Sequence, residues 1–542
     1  MPAGPHFRTS LIAARQRLTE GRGKLADQHA RGAAGVQVCA GLTVLLDDVV
    51  GKLFETALED LGEEGPHSLR KHLSLVPLGG YGRRTVAPYS DVDLMILHTG
   101  DIDERVAALA KRLTQDIYDV GLDLGHSVRT PAEACLLARG DITICTSLLE
   151  SRLLVGSASL FEQFQTRFAK MTERRFESLQ EAFVMARRDE RAKFGETVYL
   201  LEPNVKRSHG GLRDVHLLRW MGYLKFGETG REQLRRRGAL STEDVRCLRN
   251  ADEFLLRLRN EMHFHAGMAH DVLDRAEQMR LAELFGYRSG RGLLPVERFM
   301  REYFRHAAQV RNVVSRFAES VRPTTAVAQV LSPIFNRTLD GNFRLGREEI
   351  SVTAQGLDKL KGELSEVLRL ADMASLHDRR IARSTWVAVY RAGPQYSDDV
   401  SEEVATRFLS LLTQTARVGE LLRELHELGV LEKVIPAFAR ARCLLQFNVY
   451  HKYTVDEHCI RAVQRATEFI SDEGPLGNAY RQIKQRGMLH LALLLHDLGK
   501  GSEEDHIEVG LRIAAEVTQR LRLEERQAEL VKFLVHKHLL MS

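Results

Sequence analysis

Two aspartates, Asp91 and Asp93, lie in an apolar run that follows the glycine pair Gly79-Gly80 by eleven positions. On a β-strand, residues two positions apart point to the same face, so both carboxylates can hold one divalent cation. Magnesium prefers a few carboxylates together with phosphate oxygens of a substrate. The glycines leave backbone N–H groups accessible to a phosphate. The spacing therefore predicts a metal–triphosphate site.

Three further side chains can serve this site. The Ser90 hydroxyl can donate a hydrogen bond to a phosphate, and the Arg83 guanidinium can neutralise phosphate charge. Asp123 lies near the start of a later apolar run. It is a candidate third acidic residue, which would help to hold a second metal ion or accept a proton from a hydroxyl.

A second group of metal-binding residue types lies near the C-terminal end of the sequence. His496 and Asp497 end an apolar helical run, and His458 lies 38 positions before His496. Imidazole and carboxylate ligands together suit a transition metal such as Mn or Fe. Water on such a metal is a nucleophile for phosphodiester hydrolysis.

The first site requires strands to position it. Short apolar runs predict strands at Leu73–Leu78, Asp91–Leu97 and Leu122–Val128, and a helical pattern covers Ile102–Val120. Strands that alternate with a helix indicate a small α/β core with a mixed sheet.

Helical patterns dominate the remaining sequence. Phe161, Phe164, Phe168 and Met171 draw one apolar stripe. We therefore predict a multidomain, mostly α protein in which a helical region and an all-α domain follow the α/β core. The predicted divisions are an N-terminal helical segment at 1–60, the core at 61–156, the helical region at 157–440 and the last domain at 441–542.

Composition excludes several classes of protein. The 542 residues are 44% hydrophobic with a net charge of only +4, which favours a folded protein and argues against a dedicated nucleic-acid binder. Apolar runs are far shorter than the roughly 20 residues of a membrane span. The six cysteines form no CxxC pair, which is typical of free thiols in a reducing compartment. We expect a soluble, cytoplasmic protein.

Three blocks of the sequence together resemble one enzyme family. Gly79-Gly-Tyr-Gly-Arg83, the stretch from Pro88 to Leu94 and the later stretches 125–130 and 141–152 resemble the nucleotidyltransferase core of the bifunctional uridylyltransferase/uridylyl-removing enzymes that act on PII. Glu202-Pro-Asn-Val-Lys206 and Gly210-Gly-Leu-Arg-Asp214 resemble the helical segment of that family. Tyr453–His458, Leu495–Lys500 and Asp505-His506 resemble its HD domain.

The resemblance implies transfer of UMP from UTP to a tyrosine of the PII signalling protein, with release of pyrophosphate and with Mg²⁺ at Asp91 and Asp93. It also implies that Lys206 and Arg213 reach the nucleotide or the acceptor. In the HD domain it implies Mn²⁺ or another divalent metal on His458, His496 and Asp497. Further HD-site residues would be Lys500, His506 and His538.

The resemblance also predicts that the HD domain is incomplete. HD sites close with a further aspartate, and the sequence ends at Ser542 before such a residue; the glutamine-sensing ACT domains of the family are absent as well. We therefore expect little uridylyl-removing activity.

Two alternatives fit parts of the pattern. A tRNA nucleotidyltransferase or poly(A) polymerase also combines the two types of site, although it should be more basic and would not carry the Gly210–Asp214 block. A non-catalytic regulatory fragment that only binds nucleotide or PII is the second alternative.

Overall fold

A computed structural model describes residues 9–61, 69–100, 104–195, 197–290, 293–321, 337–445, 453–502 and 504–540. It is mostly helical with two small sheets and an HD domain, which confirms the predicted fold class. The described residues form two compact units. The first holds those of 1–198, 203–273 and 306–322, and the second those of 199–202, 274–305 and 323–542.

The first unit contains a four-stranded mixed sheet in the order β3-β2-β1-β4. Strand β1 pairs antiparallel with β2 and β4, and β2 pairs in parallel with β3. The strands are β1 (Leu73–Pro77), β2 (Val92–His98), β3 (Leu124–Arg129) and β4 (Val155–Gly156). The three predicted strands are confirmed, but β2 and β3 begin one residue after Asp91 and Asp123.

Helices pack on both faces of this sheet because its central strands are apolar on both sides. Leu73 and Leu75 of β1 join one buried cluster, while Val76 joins the other. The predicted stripe of Phe161, Phe164, Phe168 and Met171 lies buried in the same cluster as Val76. Successive strand residues therefore anchor different helices, as the pleat requires.

The helices of the first unit surround the sheet and continue into the helical region. They are α1 (Thr9–Ala30), α2 (Gly35–Asp60), α3 (Gly79–Gly82), α4 (Glu104–Val120), α5 (Pro131–Gly140), α6 (Ile142–Leu149), α7 (Ala158–Arg174), α8 (Phe176–Phe194), α9 (Leu212–Phe226), α10 (Arg231–Arg236) and α11 (Thr242–Ala266). Helix α12 (Arg275–Leu284) belongs to the second unit, and the residues of α13 (Pro295–Ser320) are divided between the two.

The second unit has one sheet, in the order β5-β6-β7-β8, and a large helical core. Its strands are β5 (Arg337–Leu339), β6 (Phe343–Leu345), β7 (Glu349–Val352) and β8 (Arg380–Ile381). Its further helices are α14 (Ala354–Gly362), α15 (Leu364–Leu376), α16 (Arg383–Ala392), α17 (Glu402–Thr413), α18 (Val418–Glu427), α19 (Leu431–Val434), α20 (Ala437–Ala441), α21 (Val455–Glu468), α22 (Pro475–Gln482), α23 (Arg486–Leu495), α24 (His506–Arg520) and α25 (Glu525–His536).

Two expectations about the whole chain can be compared with the structure. All six cysteines are free thiols, as the spacing predicts. Among the helices of the described ranges, none is both long enough and apolar enough to cross a bilayer.

Candidate active sites

A cavity of about 310 Å³ opens in the first unit beside the end of β1 and the start of β2, and both predicted metal ligands line it. Asp91 is exposed and lies directly before β2, and Asp93 is half-buried on the strand itself. The other cavity-lining residues that the sequence predicted are Gly79, Gly80, Arg83, Ser90, Lys206 and Arg213. The fold therefore brings eight predicted residues to one cavity.

Asp93 has the most perturbed carboxylate of this cavity. Burial raises its pKa to about 6, and the neighbouring charge of Asp91 adds to the effect. The charges of Lys206, Arg213 and Arg83 act in the opposite direction. A half-buried carboxylate with this pKa binds a divalent cation favourably, since the cation replaces the stabilisation by water that the carboxylate lost on burial.

The glycines act mainly through the space that they leave around Asp93. The Gly79-Gly80 pair forms the first turn of the short helix α3 rather than an open loop. Gly79 has φ of +51°, and a Cβ atom there would lie 3.1 Å from Asp93 Oδ2. A Cβ atom at Gly125 would lie 2.5 Å from Asp93 Oδ1. A side chain at position 125 would displace this carboxylate, and one at position 79 would crowd it in a backbone conformation that favours glycine.

Cationic side chains face the carboxylates. The Arg83 side chain is buried; its Nε donates to Thr85 Oγ1 at 2.9 Å, and its Nη1 lies 3.6 Å from Glu150 Oε1. Burial lowers its pKa to about 10 against the opposing charge of Glu150, so it stays protonated at neutral pH. Burial, with the charge of Arg259, lowers the pKa of Lys206 to about 8. This concentration of positive charge suits a polyphosphate.

Asp123 occupies a different position from the other predicted residues. It is exposed, lies directly before β3, and its backbone carbonyl accepts a hydrogen bond from Val92 N–H at 2.8 Å. Since Val92 pairs with Leu124, Asp91 and Asp123 precede paired residues of neighbouring parallel strands. Asp123 is not one of the described residues that line the cavity, and its catalytic role stays a prediction.

Arg259 and His216 are two of the cavity-lining residues that the sequence interpretation missed. Arg259 is buried on α11 and donates to Ser90 Oγ at 3.2 Å. His216 is buried on α9, and burial together with the charges of Arg83 and Arg213 lowers its pKa well below the usual value. It is therefore a neutral imidazole. Neither residue carries a local sequence signal, because each is one polar residue on an ordinary helix.

The Gly210–Asp214 block has a structural role that supports the cavity. Asp214 is fully buried and accepts hydrogen bonds from Gly210 N–H at 2.7 Å and Arg187 Nε at 2.7 Å, with Arg191 as a second ion-pair partner. The charges of Arg191 and Arg187 hold its pKa well below the usual range, although burial alone would raise it. These contacts fix the first turn of α9, which carries Arg213.

The second predicted site forms in the second unit. His458 on α21, His496 directly after α23, and Asp497 bring three potential ligand atoms within 4.8 Å of one another. The Nε2 atoms of the two histidines are 3.2 Å apart, and each lies 3.4 Å from Asp497 Oδ2. The metal cluster that the sequence predicts at these three residues is therefore geometrically formed.

Hydrogen bonds set the histidine tautomers for metal binding. His496 donates through Nδ1–H to Leu493 O at 2.8 Å, which leaves the Nε2 lone pair facing the cluster. His538 donates through Nδ1–H to Val535 O at 2.7 Å, and its Nε2 atom lies 3.6 Å from Asp497 Oδ1. His538 Nε2 and Asp497 Oδ1 are both buried without a hydrogen-bond partner among the described residues. Such a donor set fits a divalent metal ion.

The protonation states agree with this assignment. Burial lowers the pKa of His458 and of His496, so both imidazoles are neutral at neutral pH. Burial alone would raise the pKa of Asp497, but the charge of Lys500, whose Nζ donates to Asp497 Oδ2 at 2.8 Å, lowers it. His506 begins α24, and its backbone oxygen would lie 2.1 Å from a Cβ atom at Gly499. Thus Lys500 and His538 adjoin the cluster, while His506 approaches the HD segment through its backbone.

The glycine turn and the aspartate pair thus meet at one cavity beside the mixed sheet, and the histidine–aspartate cluster forms a second possible metal site. Residues 178–318 match the family model described as GlnD PII-uridylyltransferase, and residues 455–542 match that of the HD domain. Together these matches support a GlnD-type bifunctional uridylyltransferase/uridylyl-removing enzyme, as the resemblance predicts.

The first matched segment includes Lys206, Arg213, His216 and Arg259, whereas Asp91 and Asp93 precede it. The second includes His458, His496 and Asp497. The domains thus indicate PII-uridylyltransferase activity and HD hydrolase-type activity, and both classes of domain generally use divalent metals.

Proposed function

We propose that this protein is a cytoplasmic enzyme that transfers UMP from UTP to a tyrosine of a PII signalling protein and releases pyrophosphate. The observation that carries the proposal is one cavity in which Asp91 and Asp93 face Arg83, Lys206 and Arg213. The match of residues 178–318 to the PII-uridylyltransferase family supports the choice of nucleotide and acceptor.

The proposed reaction assigns a task to each side of the cavity. The tyrosyl oxygen attacks the α-phosphorus of UTP in line, the bond from that phosphorus to the β-phosphate bridging oxygen breaks, and pyrophosphate leaves with the electron pair. Mg²⁺ held by Asp91 and Asp93 would supply charge neutralisation for the triphosphate. Lys206 and Arg213 hold phosphate oxygens, and Asp123 accepts the tyrosyl proton.

We also propose the sequence-based division of the chain. The core at 61–156 carries the metal ligands, and the region at 157–440 supplies Lys206, Arg213 and Arg259. The domain at 441–542 carries the second site. The segment at 1–60 precedes the core.

The direct test is incubation of the purified protein with UTP, Mg²⁺ and a PII protein, followed by the intact mass of PII. We expect a mass increase of one uridylyl group, which should be lost in Asp91→Ala/Asp93→Ala. Asp119→Asn, an exposed substitution on α4, is the matched control and should retain the activity. Incubation of the same protein with tRNA and CTP or ATP, in place of PII and UTP, tests the alternative of a tRNA nucleotidyltransferase or poly(A) polymerase.

Two results would contradict the assignment. If every PII homologue tried stayed unmodified, PII would not be the acceptor. If the double aspartate variant kept the parent rate, the cavity would not be the active site. Binding of nucleotide without any transfer would favour the non-catalytic alternative.

A second activity is favoured by the cluster of His458, His496 and Asp497. We propose that a metal ion there supports attack of water on the phosphorus of tyrosyl-UMP, which regenerates tyrosine and releases UMP. Incubation of uridylylated PII with Mn²⁺ and the protein should release UMP, and His496→Ala/Asp497→Ala should abolish the release. Absence of UMP release from the enzyme without these substitutions would contradict this second activity and leave only the forward reaction.

A further inference from the structure

The turn that carries Asp91 is held by residues of α11. Arg259 donates through Nη2 to Ser90 Oγ at 3.2 Å, and Tyr89 N–H donates to His263 Nδ1 at 3.4 Å. Ser90 and Tyr89 directly precede Asp91 in the chain. Both holding residues, Arg259 and His263, are buried. The position of the metal-binding turn therefore depends on side chains that lie some 170 positions later in the sequence.

Both of these side chains converge on one carboxylate oxygen. Arg259 Nε lies 2.7 Å from Asp271 Oδ1, and His263 Nε2 lies 3.0 Å from the same atom. Since His263 Nδ1 accepts from Tyr89, its proton is on Nε2 and is donated to Asp271. Burial alone would raise the pKa of Asp271, but the His263 hydrogen bond and the Arg259 charge hold it well below the usual range. Asp271 is therefore a fixed anion.

The backbone of Asp271 holds the other side of the cavity. Its carbonyl accepts a hydrogen bond from Val205 N–H at 2.8 Å, and Leu273 N–H donates to Pro203 O at 2.9 Å. Val205 directly precedes Lys206, which lines the cavity. The same residue thus connects to the turn before the metal ligands and to the segment that carries a phosphate-binding lysine.

We propose that Asp271 is a positioning residue of the transferase site. It sets the Tyr89–Asp91 segment before β2 through Arg259 and His263, and it sets Lys206 through its backbone hydrogen bond with Val205. This role rests on the proposed function of the cavity. The part of that function that it requires is the binding of a metal ion and a polyphosphate there. Arg259 can contact Ser90 and Asp271 at once because its guanidinium donates from several nitrogens in a fixed plane. Loss of the Asp271 charge frees that guanidinium to rotate away from Ser90.

The test measures binding of Mn²⁺ with inorganic tripolyphosphate to the full chain, by electron paramagnetic resonance of free Mn²⁺. The His496→Ala/Asp497→Ala background confines the metal to the first site. Asp271→Asn should weaken binding by about tenfold, the effect expected for loss of one hydrogen bond to a charged group. Ser90→Ala should weaken it similarly. If Asp271 acts through Ser90, the double variant should bind little worse than either single variant.

The matched control is Asp244→Asn. Asp244 also forms a partly buried ion pair from α11, with Arg316, but it lies at the opposite end of that helix from Arg259. Its substitution should leave binding within about twofold of the background, since distant sites act independently. Thermal unfolding of each variant measures any general loss of stability, and Ser90→Ala tests the connection if Asp271→Asn does not fold.

The proposal is overturned if Asp271→Asn binds Mn²⁺–tripolyphosphate like the background protein, or if its effect and that of Ser90→Ala add fully. It is also overturned if Asp244→Asn weakens binding as much as Asp271→Asn does. Failure of the proposed function would give a different result. The background protein would still bind Mn²⁺–tripolyphosphate, and Asp271→Asn and Ser90→Ala would still weaken that binding, but the enzyme without substitutions would not modify PII with UTP.

Discussion

Gly125 faces Asp93 across the parallel pair of β2 and β3, and a Cβ atom at position 125 would lie 2.5 Å from Asp93 Oδ1. Real Cβ atoms do not approach an oxygen so closely, so any side chain at this position must displace the carboxylate. The position of the proposed metal ligand Asp93 therefore depends on Gly125, a residue that has no reactive side chain.

Gly125→Ala should therefore impair the transferase reaction without unfolding the protein. Displacement of a catalytic group by about 1 Å can lower kcat roughly 100-fold. We expect that loss in the uridylylation rate, together with an unchanged thermal midpoint. Gly51→Ala, in α2 with no atom within 4 Å of the added Cβ, is the control and should keep full activity. A Gly125→Ala enzyme as active as the control would show that Asp93 does not act in this geometry.

Asp93 should also limit the stability of the metal-free protein. Its pKa is raised to about 6, so the folded state binds more protons than the unfolded state between roughly pH 4 and 6. Stability from this group is therefore greatest at low pH and falls as the pH rises through that window. At pH 7.5 in EDTA, Asp93→Asn should stabilise the protein by about 1–3 kcal/mol, a range that allows for solvent screening.

The measurement is thermal unfolding of Asp93→Asn and the parent between pH 4 and 8 in EDTA. The gain should shrink as the pH falls toward 4, where the parent carboxylate is protonated as well. Asp119→Asn, on an exposed face of α4, should change stability by no more than about 0.5 kcal/mol. A destabilised Asp93→Asn protein at pH 7.5 would contradict the raised pKa.

The strands of the first sheet follow directly from local sequence. Short apolar runs predict β1 to β3 within one or two residues. Strands β1 and β2 are buried on both sides, whereas the residues of β3 are half-buried or exposed. The short strand β4 carries no such signal, since Val155–Gly156 pairs with β1 over two residues only. Asp91 and Asp123 fall within the predicted strands but lie just before the observed ones, because hydrogen-bonded pairing between β2 and β3 begins at Val92 and Leu124.

The cavity was predictable only where its residues are close together in sequence. Gly79, Gly80, Ser90, Asp91 and Asp93 lie within 15 positions, and their combined spacing is informative. Arg259 and Asp271 join them only through folding, and nothing local separates Arg259 from the many other basic residues, 77 in the whole chain. Lys206 and Arg213 were assigned through the family resemblance rather than from their spacing.

Lys206 should make nucleotide binding sensitive to alkaline pH. Its pKa of about 8 in the free protein means that its charge, and the attraction to a triphosphate that it supplies, is present below pH 8 and lost above it. The affinity for a non-hydrolysable UTP analogue, measured by calorimetry from pH 6.5 to 9.5, should fall above pH 8 by up to about tenfold per unit. Lys206→Arg should bind with little pH dependence, since arginine stays charged.

Lys206→Met provides the complementary variant. It should bind the analogue weakly at every pH, at about the level that the parent reaches near pH 9.5. Arg83, whose pKa is about 10, remains charged through most of this range and cannot account for the change. A parent affinity that is constant between pH 7 and 9.5 would exclude Lys206 as a phosphate ligand.

The second site should bind one divalent metal ion through His458, His496 and Asp497, and His538 should support it. Equilibrium dialysis against Mn²⁺ in an Asp91→Ala/Asp93→Ala background should show one bound ion that is lost in Asp497→Ala. His538→Ala should weaken binding by about 10- to 100-fold, the usual effect of losing a group that contacts a metal ligand. His377→Ala, at the end of α15, is the control and should leave binding unchanged.

Because burial keeps His458 and His496 neutral, metal binding should persist below pH 6.5 and be lost only when these imidazoles take up protons. Metal retained by Asp497→Ala, or lost equally in His377→Ala, would show that the cluster is not the binding site.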